Sequence, residues 1–99
     1  MLSAVNSVPI TIVADDLGFS SIELNKVLNR LGVQYKVGGK WCLYQNHRGK
    51  GYTENITHHY TKANGETGSK VQMYWTQAGR KFIHDIIRDK QIIPKSKRK

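Results

Sequence analysis

A small α+β domain is the fold class that these 99 residues predict. Three features of the pattern predict it. Residues 10–31 hold two short apolar-periodic stretches split by a glycine, residues 33–75 alternate like strands around glycine turns, and residues 76–90 return to helical spacing. The length argues for one domain with a modest core, so most apolar residues are needed inside.

Residues 1–9 end in Pro9, carry no periodic pattern and read as a lead-in segment. The first helix is expected from Thr11, an N-cap candidate, to Leu17, and Gly18 supplies a residue free to turn left-handed. Ser20-Ser21-Ile22-Glu23 has the form of a capping box that opens a second helix. Leu24, Val27, Leu28 and Leu31 recur at helical spacing and define its buried stripe, and Gly32 ends it.

Val33–Val37 then alternates, Gly38-Gly39 turns the chain, and Trp41–Tyr44 reads as a returning strand. Residues 46–51 form a polar, glycine-bearing loop. A strand is expected over 52–62, a hairpin turn at Asn64-Gly65, and a returning strand over Lys70–Trp75. Thr76 caps a final helix with Phe82, Ile83, Ile86 and Ile87 on its apolar face, ending near Arg88–Lys90. Trp41, Tyr44, Trp75, Phe82 and Ile83 are the expected core between hairpin and helices, with Arg80 available to a buried tyrosine hydroxyl near the hairpin. The domain thus spans 10–90. Residues 91–99, with Pro94, Lys95, Lys97, Arg98 and Lys99, read as a basic tail expected to be disordered.

Two adjoining helices followed by strands and a hairpin is the order of a winged helix-turn-helix, here with a β-hairpin wing and an added C-terminal helix. The local spacing agrees. Ala14 is the small residue that lets the helices approach, Gly18 is the turn, and Val13, Leu17, Phe19, Leu24 and Val27 are placed to lock the crossing.

Charge points to a partner. The chain carries sixteen Lys and Arg against seven Asp and Glu, a formal +9. Residues 1–25 contain Asp15, Asp16 and Glu23 and no base, so every base lies downstream. That asymmetry fits a polyanion, and with the helix pattern it points to double-stranded DNA. Ser20–Leu31 is then the recognition helix, and Ser20, Ser21, Asn25, Lys26, Asn29 and Arg30 are the candidates for base or phosphate contact. Asn25 suits adenine and Arg30 guanine. Two loops offer wing cations: Asn46–Gly51 with Arg48 and Lys50, and Thr61–Lys70 with Lys62 and Lys70. The second is taken as the wing tip and the first as a flanking phosphate contact. The alternative is a protein-interaction module, with the acidic first helix at Asp15 and Asp16 as its surface. Otherwise these two carboxylates read as solvated surface.

Other functions lack their residues. His47, His58, His59, His84 and Cys42 do not show the paired spacing of a zinc site, and adjacent strand histidines point to opposite faces. No catalytic triad, phosphate-cradling loop or working carboxylate pair can be assembled, so neither an enzyme nor a cofactor is expected. The single Cys42 excludes an intramolecular disulfide and is expected to be buried and inert. No apolar run reaches bilayer length and no signal peptide is visible, which places the chain in a cytoplasm. Nothing in the sequence marks a dimer.

The chain also resembles a known family. Ala14-Asp15-Asp16-Leu17-Gly18, Leu24-Asn25-Lys26, Leu31-Gly32-Val33-Gln34-Tyr35-Lys36, Trp41-Cys42-Leu43-Tyr44, Gly49-Lys50-Gly51-Tyr52-Thr53 and Trp75 to His84 occur in order. Together they resemble the KilAC domain, the C-terminal domain of phage antirepressor proteins, over roughly residues 10–88. The resemblance implies a phage or prophage origin, a role in the choice between lysogeny and lysis, and the cytoplasm of a bacterial host. It also implies a phage repressor as an alternative partner; interference with host or defence machinery is a third reading. Family members typically carry a separate Bro- or AntA-type N-terminal domain, so this chain is expected to be an excised domain or a stand-alone relative.

Overall fold

The computed structural model describes residues 6–94. Their elements run α1 (Ile10–Leu17), α2 (Ser21–Arg30), β1 (Gln34–Val37), β2 (Lys40–Leu43), a single 3-10 turn (Gln45–His47), β3 (Thr53–Thr61), β4 (Thr67–Trp75) and α3 (Gln77–Asp89). The class is α+β, built from three α-helices and two separate antiparallel hairpins, β1–β2 and β3–β4.

Local chemistry explains the boundaries. Pro9, rather than Thr11, precedes α1, because its fixed φ favours the entry to a helix while its ring lacks an amide to satisfy. Gly18 sits at φ 81° and its amide closes onto Ala14 and Asp15, ending α1 in the left-handed cap that a side chain would strain. Ser20 Oγ accepts from the Glu23 amide at 3.0 Å and starts α2. Thr76 Oγ1 does the same for α3, accepting from the Gly79 amide at 3.1 Å.

The core gathers Val13, Ala14, Phe19, Leu24, Val27, Leu28, Val33, Leu43, Trp75, Ile83 and Ile87. The residues expected to lock α1 against α2 are therefore inside, with Leu17 partly buried against them. Gly79 is needed for a different reason from Gly18. A Cβ there would overlap the Tyr52 carbonyl and stand 2.9 Å from the Trp75 ring, so only glycine lets α3 lie this close to the base of β3–β4. Tyr52 in turn stacks on Phe82 at 4.4 Å.

Several expectations change. Trp41 is only half-buried, because it lies one register step past the buried Gln34–Leu43 pair, and Tyr44 is exposed where β2 gives way to the 3-10 turn. Cys42 is half-buried. Gln34, which alternation assigns to a polar face, is 0% exposed. Arg80 does not serve a tyrosine near the hairpin; it pairs with Asp16 on α1, so Asp16 is not free surface. That hydrogen bond with Arg80 holds the Asp16 carboxyl below the usual carboxylate range, with His84 Nε2 also 3.7 Å away.

The ends differ as well. Val8 in the lead-in makes a short antiparallel bridge to Trp75. Of the expected disordered tail, Gln91–Pro94 folds back on the body. The Ile92 amide donates to Ile87 at 3.1 Å and Pro94 is buried. Lys95, Lys97, Arg98 and Lys99 lie outside the described residues.

Candidate nucleic-acid interface

Helix α2 divides cleanly. Leu24, Val27 and Leu28 face the core, so Ile22, Lys26 and Asn29, at i, i+4 and i+7, run along the opposite side. Arg30 stands beside them, and all four are exposed. Ile22 is 69% exposed, in the N-terminal turn of the helix, where burial cannot explain an isoleucine.

Hairpin β1–β2 packs on this helix through β1. The register pairs Gln34 with Leu43 and Lys36 with Trp41, placing both pairs on the same hairpin face. Gln34 and Leu43 enter the core. One step toward the tip, Trp41 emerges beside the outer face of α2, with Lys36 Nζ 5.5 Å from its ring centroid in a cation–π contact. Ser20, Ile22, Glu23, Lys26, Asn29, Arg30 and Trp41 line one shallow groove. The result is a basic groove with an apolar strip of Ile22 and Trp41 in it.

Two of the predicted contact residues also hold the hairpin in place. Asn25 Oδ1 accepts from Gln34 Nε2 at 2.9 Å, and Asn29 Nδ2 donates to the Gln34 carbonyl at 2.9 Å. Both bonds tie α2 to β1. A bidentate adenine contact would need the same Asn25 oxygen. Ser21 is the first, half-buried residue of α2.

The remaining predicted cations lie elsewhere. Arg48 is exposed but anchored, its Nε donating to the Leu43 carbonyl at 2.9 Å and its Nη2 to the Tyr35 hydroxyl at 2.6 Å. Lys50 is exposed in the loop after the 3-10 turn. Next to it, burial, reinforced by the Lys50 charge, holds the His47 imidazole below its ordinary pKa. Lys62 and Lys70 belong to β3–β4, away from the groove lining. Sequence reasoning missed Ile22 and Trp41 in the groove lining, and Lys36 against the Trp41 ring. An isoleucine on the outer face of a capped helix was the one signal that could have found Ile22.

Among the described residues, no group of His, Cys, Asp and Glu could hold a metal ion, and no helix is long and apolar enough to cross a membrane. What the geometry defines is a class: a small α+β domain presenting a basic helix face flanked by a hairpin. Over residues 1–90 the chain matches the phage antirepressor protein KilAC domain, and it belongs to that family. Membership gives it a phage regulatory role, in a family of regulatory rather than enzymatic domains. No curated protein and no solved structure matches it.

Proposed function

We propose that the chain is a winged helix-turn-helix domain that binds double-stranded DNA and acts in phage control of lysogeny and lysis in the bacterial cytoplasm. The observation that carries this reading is the groove along α2, where Lys26 and Arg30 flank exposed Ile22 and Trp41 closes the side. A helix of this kind enters the major groove, its N-terminal residues meeting base edges and its cations the phosphates.

Ser20, Ser21, Lys26 and Arg30 make the contacts from α2, and Ile22 offers an apolar surface to a thymine methyl. Asn25 and Asn29 brace the helix against β1, with Asn29 also facing the duplex. Lys36, against the Trp41 ring, puts β1–β2 in the position of the wing beside α2. Arg48 and Lys50 flank the site, and Lys62 and Lys70 supply backbone contacts from the longer hairpin. Because Asp16 is committed to Arg80, the acidic first helix is a weaker docking surface for a repressor than its sequence implies.

Lys26→Glu combined with Arg30→Glu tests the reading. Both side chains are exposed, so the variant should fold with an unchanged circular dichroism spectrum. It should lose binding to a pool of random-sequence duplexes that the wild type retains. Undiminished affinity in the double variant would remove α2 as the contact helix.

A further inference from the structure

Hairpin β3–β4 is far longer than the body needs. The molecule measures 50 × 31 × 24 Å, and its 14.9 Å radius of gyration exceeds the roughly 13 Å of a compact domain of this length. Beyond Ile56 and Gln72 every residue of the hairpin is exposed except Gly68, and Gly68 is covered by the Tyr60 ring. The arm therefore extends about 17 Å from the core before its turn, at 3.3 Å per strand residue. A lone two-stranded ribbon has little stability of its own.

Its two edges differ. On β4, Lys70 lies in mid-strand and Val8 occupies the edge at Trp75, exchanging backbone bonds of 2.9 and 2.7 Å. On β3 the sequence Thr53–Thr61 contains no Lys, Arg or Pro, and its register with β4 runs unbroken, without a bulge. These are the devices by which sheet edges are normally protected from pairing. Among the described residues no other strand lies on the β3 edge. Glu54 is its one acidic or basic residue apart from the histidines, so β3 is a surface on which two +9 chains can meet without opposing Lys or Arg.

The phase of the backbone is also fixed. The Thr76 amide donates to Tyr52 and the Lys62 amide to Glu66, so even-numbered residues of β3 exchange bonds with β4. The odd ones, Thr53, Asn55, Thr57, His59 and Thr61, turn their N–H and C=O groups outward. We infer that this edge pairs antiparallel with the same edge of a second copy, about a two-fold axis at Thr57. That register sets Thr57 opposite Thr57, Asn55 opposite His59 and Thr53 opposite Thr61, so every outward group finds a partner in about ten new backbone bonds. It also sets Tyr60 opposite Glu54 of the partner subunit, a hydroxyl facing a carboxylate. The contact is isologous and closes as a dimer. The pairing goes beyond the DNA reading and does not depend on it.

Light scattering on the full chain reads the result directly. The wild type is expected to show twice the 11.3 kDa chain mass at about 100 µM, with dissociation on dilution. Thr57→Lys places two ammonium groups across the axis and should return the mass to one chain. Thr57→Pro should do likewise while sparing the β3–β4 ladder, since the Thr57 amide points outward, and a retained melting transition would confirm that it folds. In a Cys42→Ser background, Thr57→Cys should form a disulfide-linked dimer under mild oxidation. Lys62→Cys, whose copies would stand about 33 Å apart in this register, should cross-link far more slowly. A single-chain mass at every concentration would overturn the inference. So would a dimer unaffected by Thr57→Lys, or equal cross-linking at positions 57 and 62.

Discussion

Asn25→Ala is the most informative single change in the domain, because Asn25 stands between the core and the face of α2. Gln34 is 0% exposed and its Oε1 has no hydrogen-bond partner among the described residues. Its Nε2 has the Asn25 side chain at 2.9 Å and the Asn25 carbonyl only at 3.4 Å. Removing the Asn25 amide leaves a buried donor with that one long contact, at a cost of about 1–3 kcal/mol. For a domain of this size the melting temperature should fall by about 4–20 °C. Gln34→Leu removes the buried polar group itself and leaves Asn25 half-exposed to water, so it should be nearly neutral or stabilising. In that background Asn25→Ala should cost little, giving a coupling of about 1 kcal/mol or more in a double-mutant cycle. Thermal unfolding followed by circular dichroism measures all four proteins. An Asn25→Ala melting temperature within about 1 °C of wild type would refute the bracing role and return Asn25 to the free contact residues.

Other outcomes follow from the same contacts. Gly79→Ala should destabilise by about 1–3 kcal/mol in urea unfolding, since its Cβ meets the Tyr52 carbonyl and Trp75, although alanine is otherwise favoured within a helix by about 1 kcal/mol. A stabilised variant would mean that α3 is free to move away. The Asp16–Arg80 pair is partly exposed and should contribute about 0.2–1 kcal/mol at neutral pH. Because the folded carboxyl titrates below its unfolded value of 3.8, that stability is present above pH 3.8 and is lost as pH falls through the folded value. Wild type and Asp16→Asn should therefore differ at pH 6 and converge in strong acid, and a pH-independent difference would contradict the pairing. Ile22→Ala should weaken binding to duplexes selected by the wild type from a random pool. Replacing thymine by uracil in those duplexes should weaken the wild type but not the variant, and equal losses in both would show that Ile22 reads no methyl group.

Much of the scaffold was legible because it is encoded locally. The Ser20 and Thr76 caps, the left-handed Gly18 and the apolar spacing of α2 and α3 each need only neighbouring residues to be read. What was not legible depends on tertiary path. Gln34 occupies a polar-looking position in an alternating strand, and only the docking of β1 on α2 buries it. Trp41 reads as core from composition, yet it lies one register step past the core and lines the groove instead. Lys36 escapes notice because the longer hairpin with its Asn-Gly turn reads as the better wing, while the shorter one packs against α2. Alternation in β3 shows that two faces exist, but not that the arm leaves the body and keeps an open edge.

Contact between the face of α2 and the phosphates and bases of duplex DNA should show in a salt titration. Affinity for a fluorescent duplex should be measured for the wild type and for Lys26→Ala with Arg30→Ala. In the wild type, log affinity should fall steeply with log salt. In the double variant the slope should be shallower by about 0.9 for each phosphate contact removed. A wild type that fails to bind duplex DNA even at low salt, or a slope shared by the two proteins, would rule out phosphate contact by Lys26 and Arg30.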